Sequence, residues 1–148
     1  MRANEMRKPF EILLVEDNRG DVDLTKESLK EGKIPHQLNI VPDGEEAMNF
    51  LRRKGKYSGA PTPDLVLLDL NLPKRDGFEV LRAIRSRPSL VGVPVGIFTS
   101  SEAAADKGRI AVLRAERYIH KPPDLNDFME QVGGAITDIL RSSKDREL

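Results

Sequence analysis

Leu65-Val66-Leu67-Leu68-Asp69 is a run of four apolar residues closed by a carboxylate. So short an apolar run, with no polar alternation, suits a strand covered on both faces, as in parallel sheets sandwiched between helices. Ile12-Leu13-Leu14-Val15 repeats the design and ends in Glu16-Asp17. Outward from these two runs, short apolar segments alternate with longer amphipathic ones, the pattern of β/α units. We expect strands at Glu11–Val15, Gln37–Val41, Leu65–Leu68, Val93–Phe98 and Arg117–Ile119. Helices are expected near Gly20–Glu31, Glu45–Lys54, Phe78–Arg87, Glu102–Arg114 and Leu125–Arg141. Phe78, Leu81 and Ile84 form one apolar stripe; Leu125, Phe128, Val132, Ala135, Ile136 and Ile139 form a longer one. Asp43-Gly44, Gly59–Pro63, Asp76-Gly77 and Pro122-Pro123 supply turn chemistry between them.

The 148 residues suit one domain, spanning 1–148 with a folded core of about 10–141 and a polar tail, Ser142–Leu148, expected to fray. Lys plus Arg and Asp plus Glu balance at 24 each, so no net field draws the chain to nucleic acid or to an anionic membrane. Arg52-Arg53-Lys54-Gly55-Lys56 is most simply a solvated face. Cysteine is absent, which removes disulfides, thiolate metal sites and cysteine nucleophiles, and suits a reducing cytoplasm. No segment is long and apolar enough to span a bilayer, and Met1–Phe10 lacks the apolar centre of a signal peptide. A cytoplasmic protein without nucleic-acid or membrane partners is expected.

Ligands of open parallel sheets collect beyond the carboxyl ends of the strands. There this chain places Glu16 and Asp17 after strand one, Asp69 and Asn71 after strand three, Thr99 and Ser100 after strand four, and Lys121 after strand five. Two carboxylates about 4 Å apart repel by about 4 kcal/mol at an effective dielectric near 20. Three of them call for a hard divalent cation with oxygen ligands, for which Mg²⁺ is the natural choice. The set is that needed to move a phosphoryl group onto a carboxylate: Asp69 as nucleophile, Asp17 and Asp69 as direct metal ligands, and Glu16 acting through water. The carbonyl of Asn71 would complete the shell, while Lys121 and the Thr99 hydroxyl would bind phosphoryl oxygens.

Through Glu16-Asp17-Asn18, Asp43-Gly44-Glu45-Glu46-Ala47, Leu67–Pro73, Asp76-Gly77, Phe98-Thr99-Ser100 and Lys121-Pro122, the chain resembles the receiver domain of two-component response regulators over about Phe10 to Arg141. The resemblance implies a flavodoxin-like (βα)5 fold, a doubly wound parallel sheet of order 2-1-3-4-5. It also implies that Asp69 is the phosphoacceptor, Thr99 and Tyr118 the switch residues and Lys121 the phosphate-binding lysine, with a cis peptide from Lys121 to Pro122. A narrower likeness, in Glu16–Leu24, in the loop from Arg53 to Pro63 and in Asp69–Lys74, is to stand-alone regulators paired with bacterial phytochromes and related sensor histidine kinases. That subgroup often forms homodimers. Met129, Ile136 and Leu140 widen the stripe of the last helix in the same sense, whereas Gly133-Gly134 weakens that helix.

Taken singly, these residues have plainer readings. Asp69 would be a loop carboxylate, Thr99 or Ser100 a helix cap, Tyr118 a half-buried strand aromatic and Lys121 a surface cation. His36 and His120 have no companions at ligand spacing. A flavin carrier would need a phosphate loop where Glu16-Asp17 stand. Neither Gly32-Lys33 nor Gly55-Lys56 completes a nucleotide-binding loop. The serious rival is an aspartate-nucleophile phosphatase, but Asn71 stands where such an enzyme carries its acid. A binding module independent of phosphorylation is the third reading. The expectation is therefore a regulator, not an enzyme: Asp69 takes a phosphoryl group from a sensor histidine kinase in a Mg²⁺-dependent reaction.

Overall fold

The computed structural model of the protein describes residues 9–70, 72, 76–99, 115, 117–122 and 124–147. Its strands are β1 (Phe10–Val15), β2 (His36–Val41), β3 (Leu65–Leu68), β4 (Val95–Thr99) and β5 (Arg117–His120). They pair in parallel as one sheet of order β2-β1-β3-β4-β5. Among the described residues the helices are α1 (Arg19–Glu31), α2 (Gly44–Arg52), α3 (Gly77–Ser86) and α4 (Leu125–Glu147). The helix expected over Glu102–Arg114 lies outside the described residues, as do Asn71 and Ser100.

Side chains alternate across a strand, and the sheet sorts its apolar residues accordingly. Leu13, Val15, Val66, Leu68, Val95 and Ile97 face α2 and α3, meeting Met48, Phe50, Phe78, Leu81 and Ile84. Ile12, Leu14, Leu65 and Leu67 face the other way, toward Leu29 of α1 and Phe128, Val132, Ile136 and Ile139 of α4. Each fully buried aliphatic side chain contributes roughly 2 kcal/mol, so the double covering explains why β3 and the buried part of β1, Ile12–Val15, carry no polar residue. Edge strand β2 is only partly covered and leaves Ile40 39% exposed.

Aspartates and an asparagine start the helices. Asn18 accepts from the Asp21 amide at 3.0 Å, Asp43 from Glu46 at 2.8 Å, and Asp76 from Glu79 at 3.0 Å. Asp43-Gly44 and Asp76-Gly77, read as turns, are thus N-caps with the glycine as first helical residue, which moves both starts one residue earlier. β4 begins at Val95, not Val93, because Pro94 has no amide to give; its carbonyl accepts from Val66 at 3.0 Å.

Three expectations are corrected. Helix α4 continues to Glu147, since an established helix adds a hydrogen bond for each further residue it fixes and the tail residues are acceptable helix formers. Its stripe is not a surplus face: Ile136 and Leu140 are buried at 0% and 3% exposure in the core shared with α1, while Leu125 is 57% exposed. The peptide from Lys121 to Pro122 is trans, no cis bond being present among the described residues. The intrinsic prolyl preference is only about 0.5–1 kcal/mol, so neither isomer is dictated locally.

Candidate functional site

The strand order reverses between β1 and β3, and the carboxylates stand at that crevice. Val15 pairs with Leu68, the Asp69 amide donates to the Val15 carbonyl at 3.2 Å, and the Glu16 amide to the Val41 carbonyl at 3.0 Å. The ladder therefore fixes the backbone of both acidic ends. Glu16, Asp17 and Asp69 each offer an oxygen, all within 4.8 Å of one another. An all-carboxylate donor set, half buried and closely spaced, fits a hard divalent cation. Glu16 and Asp69 are buried, whereas Asp17 is exposed.

Lys121 enters from the end of β5, where its amide donates to the Thr99 carbonyl at 2.8 Å. Its ammonium donates to Glu16 Oε1 at 2.7 Å, to Asp21 Oδ2 at 2.8 Å and to Asp69 Oδ2 at 3.1 Å. All three ammonium protons thus have a carboxylate partner. Burial pushes the Glu16 carboxyl up to about 7, although Lys121 pulls the other way and Asp69 adds repulsion. Burial would lower Lys121, but its bonds to Asp21 and Glu16 hold its protonated form well above the ordinary lysine range. The ammonium partly neutralises the crevice and leaves one buried acid close to neutral pH.

Residue 12 through residue 133 match the response regulator receiver domain. The chain belongs to that family. Response regulator Rcp1 of Synechocystis sp. (strain ATCC 27184 / PCC 6803 / Kazusa) is 42% identical over 132 residues, covering 89% of this receiver and 90% of Rcp1. The crystal structure of the Mn(2+)-bound form of Rcp1 matches with a TM-score of 0.82 at 44% identity, over 85% of this receiver and 91% of that chain. The phosphorylated cyanobacterial phytochrome response regulator RcpA matches with a TM-score of 0.82 at 43% identity, over 85% and 90% of the two chains.

Among the expected site residues of this receiver, Glu16, Asp17, Asp69 and Lys121 converge. Thr99 is fully buried at the end of β4, beside them through its backbone bond to Lys121. Tyr118 is half-buried in β5, paired with Ile97 and packed on the α2 and α3 side of the sheet. Asn71 lies outside the described residues.

Two residues gained roles the sequence reading did not give them. Asp21 is one, and its place in the first turn of the helix following an acidic strand end was the available signal. Gly77 is the other. A Cβ there would lie 2.6 Å from the Asp69 carbonyl oxygen and 2.7 Å from Leu70 Cα, both backbone atoms. Its amide donates to the Leu70 carbonyl at 3.2 Å, so α3 is seated directly against the segment that follows β3. Gly77→Ala should therefore cost about 2 kcal/mol in urea unfolding and displace Asp69, which weakens metal binding as well. A variant of unchanged stability would contradict this packing.

Proposed function

We propose that Asp69 is the phosphoacceptor of a phosphorylation switch, with Mg²⁺ as the working cation. The supporting observation is the Lys121 ammonium, 3.1 Å from Asp69 Oδ2, beside the cluster of Glu16, Asp17 and Asp69. An Asp69 oxygen attacks the phosphorus of a phosphohistidine in line; the P–N bond breaks, its electron pair stays with the imidazole, and an acyl phosphate forms. Water later attacks the phosphorus, releasing inorganic phosphate and restoring the carboxylate. Glu16, Asp17, Asp69 and the carbonyl of Asn71 would hold the cation, which supplies charge neutralisation for the transferring group. Lys121 and Thr99 bind phosphoryl oxygens from the other side, and Tyr118 follows Thr99 as the surface around β5 readjusts.

The kinase proposed is a sensor histidine kinase of the phytochrome class, supported by likeness to RcpA, and the working compartment is the cytoplasm. We also propose a homodimer on likeness alone, because Ile136 and Leu140 are occupied within the core of one chain. Catalytic turnover of outside phosphoesters has no support, because Asn71 stands where a phosphatase of this chemistry needs an acid.

Titration with Mg²⁺ should shift the amide resonances of Asp17 and Asp69 at millimolar metal. Acetyl phosphate should then add one acid-stable, base-labile phosphoryl group in Mg²⁺ and none in excess chelator. A flat titration together with metal-independent labelling would reject the site.

A further inference from the structure

We infer that Asp21 is the positioning residue of Lys121, holding its ammonium in line with position 69 throughout the phosphorylation cycle; this rests on the reading of Asp69 as acceptor. A lysine is a point charge on a flexible four-carbon stem, and its electrostatic help to a transferring group depends on being held in place beforehand. In this structure three carboxylates hold it. Two of them, Glu16 and Asp69, belong to the cluster whose oxygens lie within 4.8 Å of one another, and a bound cation draws on their charge. Asp69 also gives up its charge as carboxylate when it is phosphorylated. Asp21 is outside that cluster, so its hold on Lys121 persists when the other two weaken.

Asp21 is itself fixed from both sides of its peptide. Its amide donates to the capping Asn18 Oδ1 at 3.0 Å, and its carbonyl accepts from Thr25 Oγ1 at 2.8 Å. The side chain is 23% exposed and meets a lysine side chain 11% exposed, so water competes weakly for the bond. Helix α1 is held in turn by α4 through Leu29, Val132 and Ile136. The anchor of the lysine is thus a packed helix rather than a loop.

The test compares wild type, Asp21→Ala and Asp21→Asn, labelled with acetyl phosphate over a range of donor and Mg²⁺ concentrations. Asp21→Ala should lower the rate at saturating donor and metal by about tenfold, the scale of a misplaced charged group. Asp21→Asn keeps an acceptor oxygen at the same place and should recover most of that rate. In the Mg²⁺-loaded protein, the Lys121 ammonium signal should be visible by ¹⁵N NMR in wild type and Asp21→Asn and lost to faster exchange in Asp21→Ala. An unchanged saturating rate in Asp21→Ala overturns the proposal, and so does a loss seen only as weaker Mg²⁺ binding. An equal loss in Asp21→Asn also overturns it, because charge rather than position would then be the cause. Wild type that takes no label, or label that survives Asp69→Asn, overturns the acceptor reading and the inference with it.

Discussion

Asp69→Asn should take no phosphoryl group from acetyl phosphate in Mg²⁺, whereas wild type should take one. An amide has neither the negative charge nor the oxygen nucleophile that attacks phosphorus, so the expected loss is complete and not partial. The substitution is otherwise gentle. The amide oxygen can still accept from Lys121, which donates to Asp69 Oδ2 at 3.1 Å in the native chain. Removing the Asp69 charge also removes a repulsion that raises Glu16, so the variant should unfold at equal or higher temperature. This direction separates chemistry from folding: the label vanishes from a protein that is no less stable. Intact-mass measurement before and after alkaline treatment reads the label, and calorimetry reads the stability. Label persisting in Asp69→Asn would move the acceptor elsewhere.

Asp69 was legible from sequence because it closes a strand with no polar residue, and the physics of a doubly covered parallel strand leaves one exit for its polar chemistry. The same argument placed Glu16, Asp17, Thr99 and Lys121 at one edge, where the structure has them. It could not foresee the contacts of Lys121. Glu16 and Asp21 are 105 and 100 residues from it in sequence, and a lysine's reach says nothing about which of several acids it meets. Helix faces were harder still. Leu140 and Ile136 read as surplus apolar surface because a periodicity shows how wide a stripe is, not how many elements cover it. Here the sheet and α1 both pack on α4, so a stripe wide enough for an outside partner is filled from within. Gly77 shows the converse limit. As half of an Asp-Gly pair it signals a turn, whereas its lack of a side chain is what lets α3 touch the backbone of Asp69 and Leu70.

The second large effect is expected from Lys121→Met, measured in chelator by urea unfolding. Methionine preserves much of the stem's bulk but leaves Glu16, Asp21 and Asp69 together without their cation. The lysine side chain is 11% exposed and those of Glu16 and Asp69 are 4% and 7% exposed, so solvent screens the loss poorly. Stripping one partner from a buried ion cluster costs about 3–5 kcal/mol, and this site belongs toward the lower figure because Asp21 can turn to water. At alkaline pH, where Glu16 is ionised, adding Glu16→Gln should return a large part of the loss by removing the most buried of the orphaned charges, which distinguishes electrostatic stress from a packing defect. The difference from wild type should shrink in acid. Protonated carboxyls do not need the ammonium; burial already raises Glu16 to about 7 in the native chain against the lowering pull of Lys121, and without that pull it lies higher still, so stability in the variant falls as pH rises from the ordinary carboxylate range upward. Mg²⁺ should raise the unfolding midpoint of Lys121→Met more than that of wild type, because the cation then meets carboxylates with no competing lysine. The phosphoryl group should still be accepted slowly, since Asp69 and the cation ligands remain, but without Lys121 the charge on its oxygens is met from one side alone. A variant as stable as wild type in chelator, with the same response to Mg²⁺, would mean that Lys121 does not neutralise the crevice.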